Sequence, residues 1–302
     1  MQNEINIGIV GAQFMGRAHS NAWYDVAQFY DLPFKPVMRA ACDINPAAEK
    51  DFAQKLGWLS FENSWETLVN RDDIDIIDIC TPNNSHMPIA VAAAKAGKHV
   101  ICEKPAAMNA GEAMQMMNAA EKAGVKHMIA FNYRRLPAIQ LAKKMISEGK
   151  LGKIHHFNAV YYQDWLVDPD FPWVWRHDVK LAGSGAHGDM NAHTVDLARF
   201  LVGEIDSVCG EEKVFIDRRK IPETDRYEKV TADDATTFLA RFTNGAPSSL
   251  GFGCGCSGQG LEKLGYVEGR QNPCSNVIFK NVTWEGSLAR RPPGFARRSF
   301  WS

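Results

Sequence analysis

The chain has no strong charge of either sign, no long apolar run, no framed set of cysteines and no internal repeat. Lys and Arg number 34 against 35 Asp and Glu, and no long charged block precedes the C-terminal stretch. A nucleic-acid groove and an anionic membrane surface are therefore not expected partners. Nowhere do about 18 uninterrupted apolar residues occur, the length a membrane span needs. The N-terminus carries Glu4 and only a short apolar segment, so it does not read as a secretion signal and a cytoplasmic protein is expected. The seven cysteines are scattered; Cys80 and Cys102 fall in strand-like apolar runs and read as reduced core thiols. Cys254 and Cys256 lack the second pair that a zinc site requires. What is present is 45% hydrophobic residues in 302, enough for two domains sharing a cleft, with a small molecule as the expected partner.

Up to residue 131, the runs INIGIV, VMRAAC, IDIIDIC, HVIC and HMIA alternate with amphipathic helical patterns. This alternation predicts a parallel sheet wrapped by helices, a doubly wound N-terminal domain over 1–131. Beyond it, PAIQLAKKMISEGKLG reads as a helix closed by glycine, and KIHHFNAVYYQ, VCGEEKVFI and ATTFLARF as strands. DMNAHTVDLARFLVG reads as a further helix, so an α+β domain over 132–302, with a predominantly antiparallel open sheet, is expected. From Ala246 onward glycine and arginine crowd together and Asp disappears. That composition predicts an irregular tail over 246–302, a sheet incomplete at its C-terminal side, and a shifted frame or truncation as its origin.

The first strand leads into GAQFMG, where Gly11, Gln13 and Gly16 occupy the three glycine positions of a dinucleotide turn. The first glycine makes the tight turn, the second lets backbone approach the pyrophosphate and the third lets helix pack on strand. Gln13 replaces the middle one, yet Phe14 and Met15 open a helix whose N-terminal amides still face the phosphates. Asp43 ends the second strand, where a carboxylate accepts the ribose hydroxyl protons and repels a 2′-phosphate. NAD is therefore the expected cofactor, with NADP disfavoured and NAD binding weakened but preserved by Gln13.

Thr81, Pro82, Asn83 and Asn84 with His86, then VICEKP with Glu103, Lys104 and Pro105, are followed by AFNYRR, EGKLGKI, WR at 175–176 and GSGAHGDMNAHTVDLARFLVG. In this order the segments resemble the Gfo/Idh/MocA oxidoreductases over roughly residues 5–245, and within that family NYRR, QDW and GSGA are most similar to the glucoside and inositol dehydrogenases. The resemblance implies catalytic roles for Lys104, Asp189 and His193, and cofactor-cleft positions for Thr81, Pro82, Asn83, His86, Glu103 and Asn132. Asp189 and His193, four apart, would share one helix face. A neutral imidazole has a pKa suited to removing a hydroxyl proton, which makes His193 the expected general base. Lys104 as an ammonium would stabilise the growing alkoxide, and Asp189 would orient it. A metal site at His187, Asp189 and His193 is disfavoured because His187 and His193, six apart, do not share that face. Trp165 and Trp175, with Trp173, offer flat faces for sugar C–H groups, and Arg134, Asp164 and Arg176 offer partners for hydroxyls. The expectation is an NAD-dependent dehydrogenase acting on a secondary hydroxyl of a sugar, glycoside or cyclic polyol, levoglucosan- or inositol-like. A cofactor-binding regulator without activity and an inactive remnant are the competing readings. The family's second sheet commonly supports homo-oligomers, which the composition of 246–302 puts in doubt.

Overall fold

In the computed structural model, which describes residues 3–163, 166–253, 263–269 and 276–280, two six-stranded sheets are built from successive parts of the chain. The first comprises β1 (Asn3–Val10), β2 (Phe34–Cys42), β3 (Ser60–Glu62), β4 (Ile76–Ile79), β5 (His99–Cys102) and β6 (His127–Ile129). Its order is β3-β2-β1-β4-β5-β6, all parallel. The connecting helices are α1 (Phe14–Phe29), α2 (Trp65–Val69), α3 (His86–Lys95) and α4 (Ala110–Ala123).

Alternation along the strands sends side chains to two separate apolar clusters. Ile7, Ile9 and Ala41 join one with Phe52 and Trp58, while Val10, Ala40, Cys42, Ile77 and Ile79 join the other with Leu68 and Ile89. Both faces are thus buried, as a doubly wound sheet requires. Each fully buried isoleucine contributes about 1.5–3 kcal/mol relative to exposure. The order reverses between β1 and β4, and at such a switch point the loops leaving the carboxyl ends of the strands open a crevice. Gly11, Thr81 and Lys104 all lie on those loops.

The second sheet follows α5 (Pro137–Ser147) and begins with β7 (Ile154–Tyr162). Then come α6 (Val179–Ala182), α7 (Ala192–Leu201), β8 (Ile205–Lys213), the small hairpin of β9 (Arg218–Lys220) with β10 (Tyr227–Lys229), and β11 (Ala235–Phe242). Burial of alternate residues in β11 puts Thr236, Phe238, Ala240 and Phe242 against the core formed with Phe157, Met190 and Leu201. The order is β14-β13-β7-β12-β11-β8; all neighbours run antiparallel except β12 and β7.

Two sequence expectations need correction. The run DMNAHTVDLARFLVG is not one uniform α-helix: His187–Asn191 form a π-helical turn that leads into α7. The sheet also continues past Ala246, where β12 (Pro247–Gly253), β13 (Lys263–Gly269) and β14 (Asn276–Lys280) are paired. Composition misjudged these segments because ladder bonds join backbone groups and do not depend on an apolar period. The remainder of 246–302, including the arginine-rich end, lies outside the described residues.

Candidate active site

The glycine turn is built by close approach. Gly11 has φ +105°, its N–H donates to the Cys42 carbonyl at 2.8 Å, and a Cβ there would stand 2.6 Å from the Cys80 carbonyl oxygen. At Gly16 a Cβ would fall 1.9 Å from the Gly11 oxygen, so only glycine lets α1 sit on the end of β1. Gln13 caps α1 with φ −81° and ψ −161°, ordinary extended backbone for any residue, and its side chain is exposed without a capping bond. Phe14 is exposed and Met15 half-buried. Asp43 takes the Ala12 N–H on Oδ2 at 2.8 Å and the Asn45 N–H on Oδ1 at 2.9 Å. The acid at the end of β2 is thereby fastened to the turn. A cradle that no Cβ tolerates, helix amides at its mouth and a carboxylate beside it fit a dinucleotide.

Across the crevice, Lys104 and Asp189 meet. Lys104 Nζ donates to Asp189 Oδ1 at 2.7 Å and to the Asp189 carbonyl at 2.8 Å, joining the end of β5 to the π-helical turn. Burial alone would raise the Asp189 pKa, but Lys104, Arg176 and His193 together hold it below the usual carboxylate range. Asp189 is thus a carboxylate at neutral pH. His193, on the first turn of α7, is buried and stacked on Tyr133 with centroids 4.0 Å apart, with Phe131 edge-on at 6.2 Å. These rings fix the imidazole plane. Arg176 covers the half-buried Trp175 ring at 4.4 Å, and its charge is felt by the Asp189 carboxylate. His187 is partly open to solvent, its ring edge-on to Phe238 at 6.3 Å and its Nδ1 2.9 Å from the Asn191 amide nitrogen.

Other predicted residues occupy the same rim in more structural roles. Asn83 is buried and donates its amide to the Ala182 carbonyl at 2.8 Å, a link between the loop after β4 and α6. His86 is fully buried with its two ring nitrogens 2.9 Å from the carbonyls of Pro105 and Thr81; burial lowers its pKa although both carbonyls favour the charged form. It joins the TPNN loop to the EKP loop. Thr81 accepts the Ser85 hydroxyl at 2.7 Å, while Pro82 and Asn132 are exposed. Arg134 forks onto the buried Asp196 of α7 and lies over Phe200 at 5.2 Å, so its charge is held there and is not directed to a ligand. Glu103 is buried between His19 and the Lys104 backbone. Asp164 and Trp165 lie outside the described residues. Trp173 donates its indole N–H to the Lys229 carbonyl at 3.3 Å.

Sequence reasoning passed over Asp233. Its carboxylate takes the N–H of Gly185 at 2.6 Å, the N–H of His187 at 2.8 Å and the Thr236 hydroxyl at 3.0 Å, and its carbonyl accepts from Ala186. A Cβ on Gly185 would meet that carbonyl oxygen at 1.9 Å. One buried aspartate therefore holds the loop that delivers Asp189. The only signal was an acidic pair, Asp233-Asp234, before an alternating strand.

A parallel sheet with a glycine turn at its switch point, joined to a second sheet by a lysine–carboxylate contact, defines a two-domain NAD-binding oxidoreductase fold. The chain belongs to the Gfo/Idh/MocA family: residues 5–131 match its oxidoreductase NAD-binding Rossmann fold and residues 139–264 its C-terminal domain. It is 40% identical over 263 residues to levoglucosan dehydrogenase of Pseudarthrobacter phenanthrenivorans, covering 83% of this chain and 67% of the relative. It is 26% identical over 243 residues to myo-inositol 2-dehydrogenase of Thermotoga maritima, covering 80% of this chain and 66% of that one. A solved levoglucosan dehydrogenase in complex with NADH and levoglucosan superposes with a TM-score of 0.87 at 37% identity, over 92% of this chain and 73% of that one. Among the described residues no helix is long and apolar enough to cross a membrane.

Proposed function

We propose that the protein is an NAD-dependent dehydrogenase that oxidises a secondary hydroxyl of a sugar, glycoside or cyclic polyol, or runs the reverse reduction. The observation that carries this reading is the Lys104–Asp189 contact across the crevice, at the carboxyl end of β5, two strands from the β1 that leads into the dinucleotide turn. Levoglucosan dehydrogenase and the inositol dehydrogenases, as similar chains, support a ring alcohol as substrate. We divide the chain at 131/132 into a cofactor domain and a substrate domain, and place it in the cytoplasm.

In this reading the substrate hydroxyl lies between Lys104 and His193. His193 takes the hydroxyl proton as the C–H bond gives up its hydride. Bound NAD supplies the hydride acceptor. The Lys104 ammonium hydrogen-bonds the reacting oxygen and lowers the energy of its developing negative charge, while Asp189 holds that ammonium in place through its hydrogen bond. Arg176 and Trp175 flank the sugar. In the reverse direction, imidazolium returns the proton to the alkoxide.

The test is NAD reduction by the purified protein with levoglucosan, glucose, simple glucosides and inositols, run beside NADP and the His193→Ala variant. Histidine-dependent NADH formation is expected, with a loss on the order of 100-fold or more in rate on removing His193 or Lys104. A folded protein that binds NAD and turns over none of these substrates contradicts the proposal and favours a cofactor-binding regulator.

A further inference from the structure

Beneath the dinucleotide turn lies a charged cluster that the chemistry above does not use. His19, on α1, directs Nδ1 to both oxygens of Asp78 at 3.0 Å and Nε2 to Glu103 Oε1 at 3.0 Å. Asp78, on β4, is 1% exposed and also accepts the Trp23 indole N–H at 2.8 Å and the Cys80 thiol at 3.8 Å. The second Glu103 oxygen accepts the backbone N–H of Lys104 at 3.1 Å. Burial works against a charge on His19, but the hydrogen bonds the ring makes to Asp78, Cys80 and Glu103 overcome it and hold its pKa well above the usual histidine range. One imidazolium thus serves two carboxylates, and the interlocked bonds restrict the cluster to a single arrangement.

We propose that Glu103, braced by His19, is a positioning residue that fixes the Lys104 backbone relative to the helix carrying the dinucleotide turn. This rests on the catalytic reading of Lys104. The carboxylate does not serve as a cofactor ligand: it is 6% exposed and both its oxygens are already engaged. Ligand atoms of His19, Asp78 and Cys80 do lie within 4.8 Å of one another, a spacing a cation could bridge. Both ring nitrogens already face carboxylate oxygens, however, and a cation would have to displace the shared proton. The ion-paired brace accounts for every contact without it. Its consequence is that α1, which grips the phosphates, and Lys104, which meets the substrate oxygen, keep one separation through Glu103. A displacement of about 1 Å in such a group costs on the order of 100-fold in rate.

The experiment compares wild type, Glu103→Ala and Glu103→Gln by steady-state kinetics, NADH titration and exchange of the Lys104 amide. That amide is followed by 15N-lysine labelling and assigned by the signal missing in Lys104→Arg. Glu103→Ala is expected to lower kcat by about 10- to 100-fold, to keep the NADH Kd within about threefold and to expose the Lys104 amide to exchange. Glu103→Gln is expected to recover most of the kcat, because its side-chain carbonyl still accepts the Lys104 N–H. If Glu103→Ala does not fold, His19→Gln carries the same expectation. Equal losses in Ala and Gln, a raised NADH Kd with kcat intact, or a lowered Tm with kcat intact each overturn the proposal. Absence of turnover in the wild type overturns the catalytic reading itself; Lys104 amide exchange in Glu103→Ala then still decides whether the brace exists.

Discussion

His177 shows how a single side chain carries a pH dependence for the whole fold. It is 2% exposed, its Nδ1 accepts the Val174 N–H at 3.0 Å, and burial, with Arg219 and Arg176 nearby, lowers its pKa to about 4. The unfolded chain binds a proton there near pH 6.5, so between about 6.5 and 4 the unfolded state holds more protons and stability falls as pH falls. The loss is complete below about pH 4 and amounts to about 3 kcal/mol. Urea midpoints of wild type and His177→Gln should therefore converge between pH 7 and 4.5; parallel curves would contradict the assignment. Gln13 invites a second test at the same scale. Its backbone needs no glycine, so its effect is confined to the side chain at the phosphate mouth, and Gln13→Gly is expected to tighten NAD binding several-fold without a large change in Tm. Titration of NADH fluorescence checks this, and an unchanged Kd would show that the amide causes no obstruction.

At the scale of elements, the π-helical turn over His187–Asn191 is the piece that the sequence did not disclose. A four-residue spacing predicts a shared α-helical face, and the wider turn is set by tertiary contacts that no local period records. Asp233 supplies those contacts through two backbone N–H groups and the Thr236 hydroxyl. Asp233→Ala removes the acceptor of three donors, the part-buried N–H groups of Gly185 and His187 and the buried Thr236 hydroxyl, at a cost of about 1–3 kcal/mol for a donor left buried and unpaired, and frees the loop that carries Asp189. We expect a drop in stability of roughly 3 kcal/mol by denaturant unfolding, with kcat falling by more than KM changes. Gly185→Ala should do the same by steric overlap. If either variant keeps full activity, the loop does not need this clamp. The strand β3, three residues long, was also invisible to a periodicity argument, whereas the apolar, β-prone run ATTFLARF coincides with β11, although its alternation of buried and exposed residues, with Thr236 inside and Leu239 outside, is set by the sheet and not by residue type. Arg134 was legible as a charged motif residue, but its engagement by Asp196 lies 62 positions away and had no sequence signature.

For the whole molecule, the parallel sheet and the positions of Gly11, Asp43 and Lys104 were readable because strand ends and motif residues coincide in a doubly wound fold. What joins the two sheets was not. Asn83 to Ala182 and Lys104 to Asp189 both run from strand ends of the first sheet to the segments preceding α7. Cofactor bound to the first sheet is therefore expected to stabilise both as one unit. At about 100 times its Kd, NAD adds about 2.7 kcal/mol to stability, an increase of about 4 °C in Tm for a chain of this size. Scanning calorimetry should show one transition that shifts as a whole, and NADP at equal concentration should shift it less because Asp43 repels a 2′-phosphate. A thermogram in which only one of two transitions moves would mean that these contacts do not couple the sheets. An equal shift by NADP would mean that Asp43, tied to Ala12, does not select between the two dinucleotides.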